Sequence, residues 1–222
     1  MFPRLPLFPL PVVLFPGTTL SLHVFEPRYR RMLADCLDGD RRFGLTPPGS
    51  SGAAPDPGSV GCIAEVRVKQ ELPDGRSNII VLGGKRFVLR RILADPAPYW
   101  VGAVQTFDDE AGTAPPEGRT AQLRSLFLQY RELLKLLNDL EPEEMELSPD
   151  ALGLSFQAAA SAECDATIKQ RLLAERSTAR RVELLLLLLP VLAGTTEKAL
   201  EVHRRAHTNG TGGVYTGLAA GP

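Results

Sequence analysis

Several clusters in this chain are of residue types that could do chemistry. Gly83-Gly84-Lys85-Arg86 joins glycines to cations, the ingredients of a phosphate-cradling loop. A nucleotide-binding loop of that kind needs a glycine five positions before the Gly-Lys pair and a Ser or Thr after the Lys. Those positions hold Ile79 and Arg86, so the segment reads as a turn between strands. His203 and His207 are four apart and would share one side of a helix. A zinc site needs three or four ligands, and nothing near them in sequence supplies the rest. No G-x-S-x-G elbow occurs. Cys36, Cys62 and Cys164 are odd in number and far apart, with no C-x-x-C, which fits buried free thiols in a reducing, cytoplasmic setting rather than a disulfide framework. No catalytic residue, metal or cofactor is expected.

Two clusters remain that could bind rather than react. Arg28, Arg30, Arg31, Arg41 and Arg42 could fork onto phosphates. Glu26, Asp35, Asp38 and Asp40 are interleaved with them, and the whole chain carries a net charge of only −1, so a salt-bridged surface is the favoured reading and nucleic acid the alternative. The aromatic residues Phe15, Phe25, Tyr29, Phe43, Trp100 and Phe107 cannot all be placed in a core by pattern alone. Any left exposed together would form a patch for apolar segments of other chains.

The elements that would position these residues fall into two halves. Pro6, Pro9, Pro11 and Pro16 interrupt the apolar run Leu5–Gly17, which excludes a helix and a membrane span and predicts short extended pieces pinned by Leu, Phe and Val. Leu20, Leu22 and Val24 alternate with polar residues and predict a half-buried strand. Glu26-Pro27 opens a short helix with Phe25, Tyr29, Met32, Leu33 and Cys36 on one face, closed by Gly39. Further strands are expected at 42–46, 60–71, 78–82, 85–93 and 99–107, with an Asp74-Gly75 turn and a bend at Gly83-Gly84. The Pro- and Gly-rich stretch 47–59 reads as a mobile loop. Six or seven short strands with one helix predict a closed or nearly closed β barrel.

Beyond an acidic, proline-containing boundary at 108–118 the period becomes helical. Leu123, Phe127, Tyr130, Leu134 and Leu137 share a face. Ser148-Pro149-Asp150, Asp165 and Ser177 or Thr178 are start signals for three more helices, the last running through Leu192 with Pro190 inside it. The fold class expected is α+β: a β domain at 1–112, a helical bundle at 113–206 and a disordered tail at 207–222.

The opening Leu5-Pro6-Leu7-Phe8-Pro9-Leu10, Val13-Leu14-Phe15-Pro16-Gly17 and Leu22-His23-Val24-Phe25-Glu26-Pro27-Arg28-Tyr29 resembles the start of the Lon N-terminal domain. Gly61-Cys62-Ile63-Ala64-Glu65-Val66, Gly83-Gly84-Lys85-Arg86-Phe87 and Tyr99-Trp100-Val101-Gly102 continue the likeness, which reaches to about residue 192. The resemblance implies a PUA-like β barrel followed by a helical bundle. It implies recognition of unfolded or client polypeptides, as an adaptor in protein quality control of the kind found as stand-alone bacterial proteins. The family's ATPase and Ser-Lys peptidase motifs are not in this sequence, so any proteolysis would fall to a partner protease. Binding is expected in a groove on the β domain or between the two halves, with loop 47–59 at its rim. RNA binding by the barrel and the 28–42 arginines is the rival reading, an analogy from fold alone. Oligomeric state is left open.

Overall fold

A computed structural model describes residues 2–50, 54–138 and 146–210. Six strands come first: β1 Arg4–Pro9, β2 Thr19–Val24, β3 Arg42–Thr46, β4 Val60–Glu71, β5 Ser77–Ile92 and β6 Trp100–Phe107, with helix α1 Pro27–Asp38 between β2 and β3. Four helices follow: α2 Arg119–Leu137, α3 Ala151–Ser161, α4 Ala166–Ala174 and α5 Thr178–Gly210. The strand order is β2-β5-β4-β3-β1-β6, and β6 also pairs with β5. That last pairing closes β5, β4, β3, β1 and β6 into a ring, the barrel expected from the run of short strands.

β1 tolerates Pro6 and Pro9 because its pairings are short: residues 4–7 against β6 and 7–9 in parallel against β3. Leu5, Leu7 and Phe8 are buried, as are Leu14 and Phe15 beyond it. α1 begins with Pro27 as its first helical residue and ends at Gly39, whose N–H donates to the Cys36 carbonyl. Tyr29, Met32, Leu33 and Cys36 are its buried face. Phe25 does not join them and is 57% exposed. It lies before the N-cap, where Glu26 is held extended ahead of the proline and the helical period has not begun.

β5 is one strand of 16 residues rather than two separated by a bend. Its first half pairs with β2, its second half with β6, and β4 runs along both. Gly83 serves a close crossing instead of a corner. A Cβ there would lie 1.9 Å from the Phe15 carbonyl oxygen. Gly17 N–H donates to the Gly83 carbonyl and Gly83 N–H to the Thr18 carbonyl, both at 2.8 Å. Gly83→Ala is therefore expected to lose about 1–3 kcal/mol or more in a urea titration. Gly84→Ala should lose less, because its added methyl would come no nearer than 3.4 Å to the Ile63 carbonyl oxygen.

The helical half is built as the apolar spacing requires. Leu123, Phe127 and Tyr130 of α2 meet Leu154 and Phe156 of α3, Leu172 and Leu173 of α4, and Val182, Leu185 and Leu189 of α5. α3 is capped by Asp150, which accepts from Gly153 N at 2.8 Å, while Ser148, expected as the cap, donates its hydroxyl to Asp150. Ser177 caps α5, accepting from Arg180 N at 3.2 Å. α5 carries Pro190 in its interior and continues to Gly210, past the position where the composition predicts helix to end. The remainder of the expected tail, 211–222, lies outside the described residues. Among the described residues no helix is long and apolar enough to cross a membrane.

Candidate polypeptide-binding groove

β1 and β3 run parallel and finish at the same level, Pro9 opposite Thr46. The segments that follow them must leave side by side, and Leu10 N–H holds them together by donating to the Thr46 carbonyl at 3.0 Å. One segment supplies Leu10, Pro11, Val12 and Val13, the other Pro47 and Pro48, with Gly58, Ser59 and Val60 at the loop's return. α4 closes the third side with Ala166, Thr167, Gln170, Arg171 and Ala174. The enclosed groove has a volume of about 590 Å³. Loop 47–59 thus reaches its rim as the sequence suggests, although residues 51–53 lie outside the described residues.

Two sets of polar contacts fix α4 against the barrel. Gln170 Nε2 donates to the Val60 carbonyl at 2.5 Å. Arg86, from the outer face of β5, donates to the carbonyls of Leu173 and Glu175 at 2.9 and 2.6 Å, capturing the end of α4 where orphan carbonyls concentrate negative charge. Arg181 of α5 donates to the same Glu175 carbonyl at 2.7 Å and to the Ser155 hydroxyl at 2.9 Å. Asp109, on the link between the halves, ion-pairs with both arginines and accepts from the Thr178 hydroxyl at 2.5 Å. The rings of Phe107 and Phe156 lie against the guanidinium of Arg86, with centroids at 4.6 and 5.2 Å; Phe156 also packs under Arg181 at 4.1 Å. Burial would raise the Asp109 pKa, yet the hydrogen bonds from Arg181 and Thr178 and the two positive charges hold it below the usual carboxylate range. Burial pushes Arg86 below the usual guanidinium range, with the Asp109 charge opposing.

The six aromatic candidates fall elsewhere. None lines the groove. Phe15, Tyr29 and Phe43 are buried, so the expectation that they offer contact surface is corrected. Phe15 crosses into the bundle core beside Phe156, and Phe8 packs on both Tyr29 and Phe43 inside the barrel. Trp100 is half-buried against Leu5, Leu7 and Phe87. Phe107 is half-buried between Arg86 and Arg176. Phe25 is exposed and stacks on His23. The arginine cluster is dispersed: Arg28 pairs with Glu26 and Arg31 with Asp35, both at 2.9 Å, while Arg41 donates to the Val66 carbonyl. The groove residues of α4 went unnoticed in sequence because Ala166, Thr167 and Ala174 carry no pattern of their own. The proline-studded wall was visible as an oddity whose use was not.

Chemically the groove is simple. Among its lining residues Arg171 is the one charge, and none is Asp, Glu, His or Cys. Pro11, Pro47 and Pro48 have no N–H to offer, so an extended ligand would find few donors there. The arrangement suits apolar side chains, not acid–base or nucleophilic work.

A family profile described as the ATP-dependent protease La (LON) substrate-binding domain matches residues 4–190. The chain belongs to the Lon substrate-binding domain family. Among Lon proteases, that of Cytophaga hutchinsonii is 24% identical over 214 residues, covering 92% of this chain and 26% of its own length. That of Xanthomonas oryzae is 30% identical over 150 residues, 64% of this chain and 17% of its own. The chain thus spans about a quarter or less of these relatives. The crystal structure of a Lon N-terminal domain protein from Xanthomonas campestris aligns with a TM-score of 0.64 and 25% identity over 83% of this chain and 97% of that one. The N-terminal domain of the Mycobacterium avium complex Lon protease aligns at 0.63 with 14% identity, over 85% and 98%. The barrel-then-bundle architecture of this Lon-family chain is therefore shared, and the part matched is the substrate-binding part.

Proposed function

We propose that this chain is a non-catalytic polypeptide-binding module whose groove takes apolar side chains of extended, unfolded client segments. The observation that carries the reading is the groove itself: apolar walls of Leu10–Val13 and Pro47-Pro48 against α4, with a single cation at one side. Family membership supports the class of ligand, a polypeptide substrate. Burying two leucine-sized side chains would contribute about 3–6 kcal/mol before association costs. That favours weak, broad recognition, suited to an adaptor that hands clients to a partner protease in the cytoplasm. The cysteines are free, and burial pushes the thiols of Cys36 and Cys62 up to about 12, so they are inert and at home in a reducing compartment.

Val12 is 40% exposed at the groove wall, so Val12→Asp should leave the fold intact while placing a charge where a client side chain would sit. Fluorescence anisotropy with a reduced, carboxymethylated protein as unfolded client checks this. The wild type is expected to bind it and not its native form, and Val12→Asp to weaken binding by about tenfold or more with an unchanged thermal midpoint. Equal affinity of both proteins for the unfolded client would remove the groove from the account. Binding that instead follows salt and the 28–42 arginines would favour the nucleic-acid reading.

A further inference from the structure

The groove is apolar on two sides and carries its one charge on the third. Arg171 lies one helical turn after Thr167 and three residues before Ala174, on the side of α4 that faces the groove. It is exposed. Its carbonyl accepts from Glu175 N at 3.1 Å, but its guanidinium makes no ion pair among the described residues. The neighbouring carboxylates are engaged or distant. Glu175 pairs with Arg180 at 3.4 Å, and Asp56 accepts from Ser50 N at 2.9 Å. Asp165 is six positions back, about 9 Å along the helix axis.

Most other donors at the groove are committed or missing. Pro11, Pro47 and Pro48 have no N–H. Leu10 N–H donates to the Thr46 carbonyl, Gly58 N–H to the Leu89 carbonyl at 2.7 Å, Ser59 N–H to the Asp56 carbonyl at 3.1 Å and Gln170 Nε2 to the Val60 carbonyl. The hydroxyls of Ser59 and Thr167 are neutral. A client carboxylate would find its strongest partner in Arg171, whose planar fork matches two carboxylate oxygens. A client ammonium or guanidinium would find no acid in the lining and one like charge. Apolar walls on two sides keep water from screening either interaction fully.

We propose that Arg171 sets the specificity of this groove: it selects client segments that carry an aspartate or glutamate side chain beside their apolar anchors, and rejects those that carry lysine or arginine there. The proposal rests on the groove being the client site. It narrows the client class from apolar segments in general to acid-flanked ones. A nucleic-acid backbone is a poorer match, because one cation can neutralise one phosphate and leaves its neighbours facing Leu10, Pro11 and Val12.

Three synthetic peptides serve as probes, each with both ends blocked and a Leu-Leu-Phe core flanked by two Asp, two Asn or two Lys. Isothermal titration calorimetry with the full chain at low salt should find the Asp peptide about threefold tighter than the Asn peptide and about tenfold tighter than the Lys peptide. Arg171→Ala should bring the Asp and Asn peptides to within about twofold of each other and leave the Asn peptide's own affinity in place. Arg171→Lys should keep the acidic preference, and Arg171→Glu should reverse the order of the Asp and Lys peptides. The side chain is exposed, so the thermal midpoint should hold in all three variants. Equal binding of the three peptides by the wild type overturns the proposal, and so does an acidic preference that survives Arg171→Ala; both leave the groove as the client site. A single-stranded RNA oligonucleotide that binds more tightly than the Asp peptide and is weakened by Arg171→Ala also overturns it. If no peptide binds, or if Val12→Asp leaves all three affinities unchanged, the groove itself fails as the client site and the proposal falls with it.

Discussion

Asp109→Ala is expected to lose about 3–5 kcal/mol in urea unfolding at neutral pH, a large part of the stability of a domain of ordinary size. Arg86 and Arg181 are almost wholly buried, and Asp109 is the carboxylate that both engage. Removing it leaves two desolvated like charges side by side, with backbone carbonyls and the Ser155 hydroxyl as their remaining polar partners. Asp109→Asn keeps the shape and should cost less, though it also loses the charge. The wild type adds a pH signature. The folded Asp109 pKa lies below its unfolded value near 3.9, so its contribution is present above about pH 4 and is lost as pH falls through the folded pKa. Asp109→Asn should flatten that part of the acid limb. Equal urea midpoints for wild type and Asp109→Ala at neutral pH would show that the cluster does not hold the two halves together.

Phe15→Ala should cost about 3–5 kcal/mol. The ring belongs by sequence to the barrel's opening segment but lies fully buried among bundle residues, with Phe156 as its aromatic neighbour at 6.3 Å. Its removal would leave a cavity at the junction of the two halves. Calorimetry should show a lowered midpoint, and separate transitions for barrel and bundle would follow if the junction is what couples them. A variant that folds with wild-type stability yet loses client affinity would restore Phe15 to the binding surface suggested by its residue type.

Much of the fold was legible because local chemistry and global packing agree. Leu20, Leu22 and Val24 alternate and pair with β5; Asp74-Gly75 makes its turn with Gly75 at a φ of 78°; Pro27 and Gly39 bracket α1. Within β5, Arg86 and the core residues Phe87 and Leu89 take opposite faces. Alternation names a face, however, without saying what covers it. At Arg86 the outer face of β5 meets the bundle rather than water, so this charged residue is 3% exposed. The groove was illegible for a related reason. Its walls come from residues 10–13, 47–48, 58–60 and 166–174, and only the parallel pairing of β1 with β3 and the ties on α4 bring them together.

The ring of strands also fixes an order of events at the ribosome. The first strand to emerge, β1, has its antiparallel neighbour in β6, with Arg4 opposite Ala103. The nascent chain must leave the β6 side of β1, with Leu5 and Leu7, unpaired until β6 has been made. Closure over so long a separation is entropically slow. The chain thus begins its own life exposing a greasy segment, and its synthesis should be sensitive to the supply of chaperones that bind such segments early.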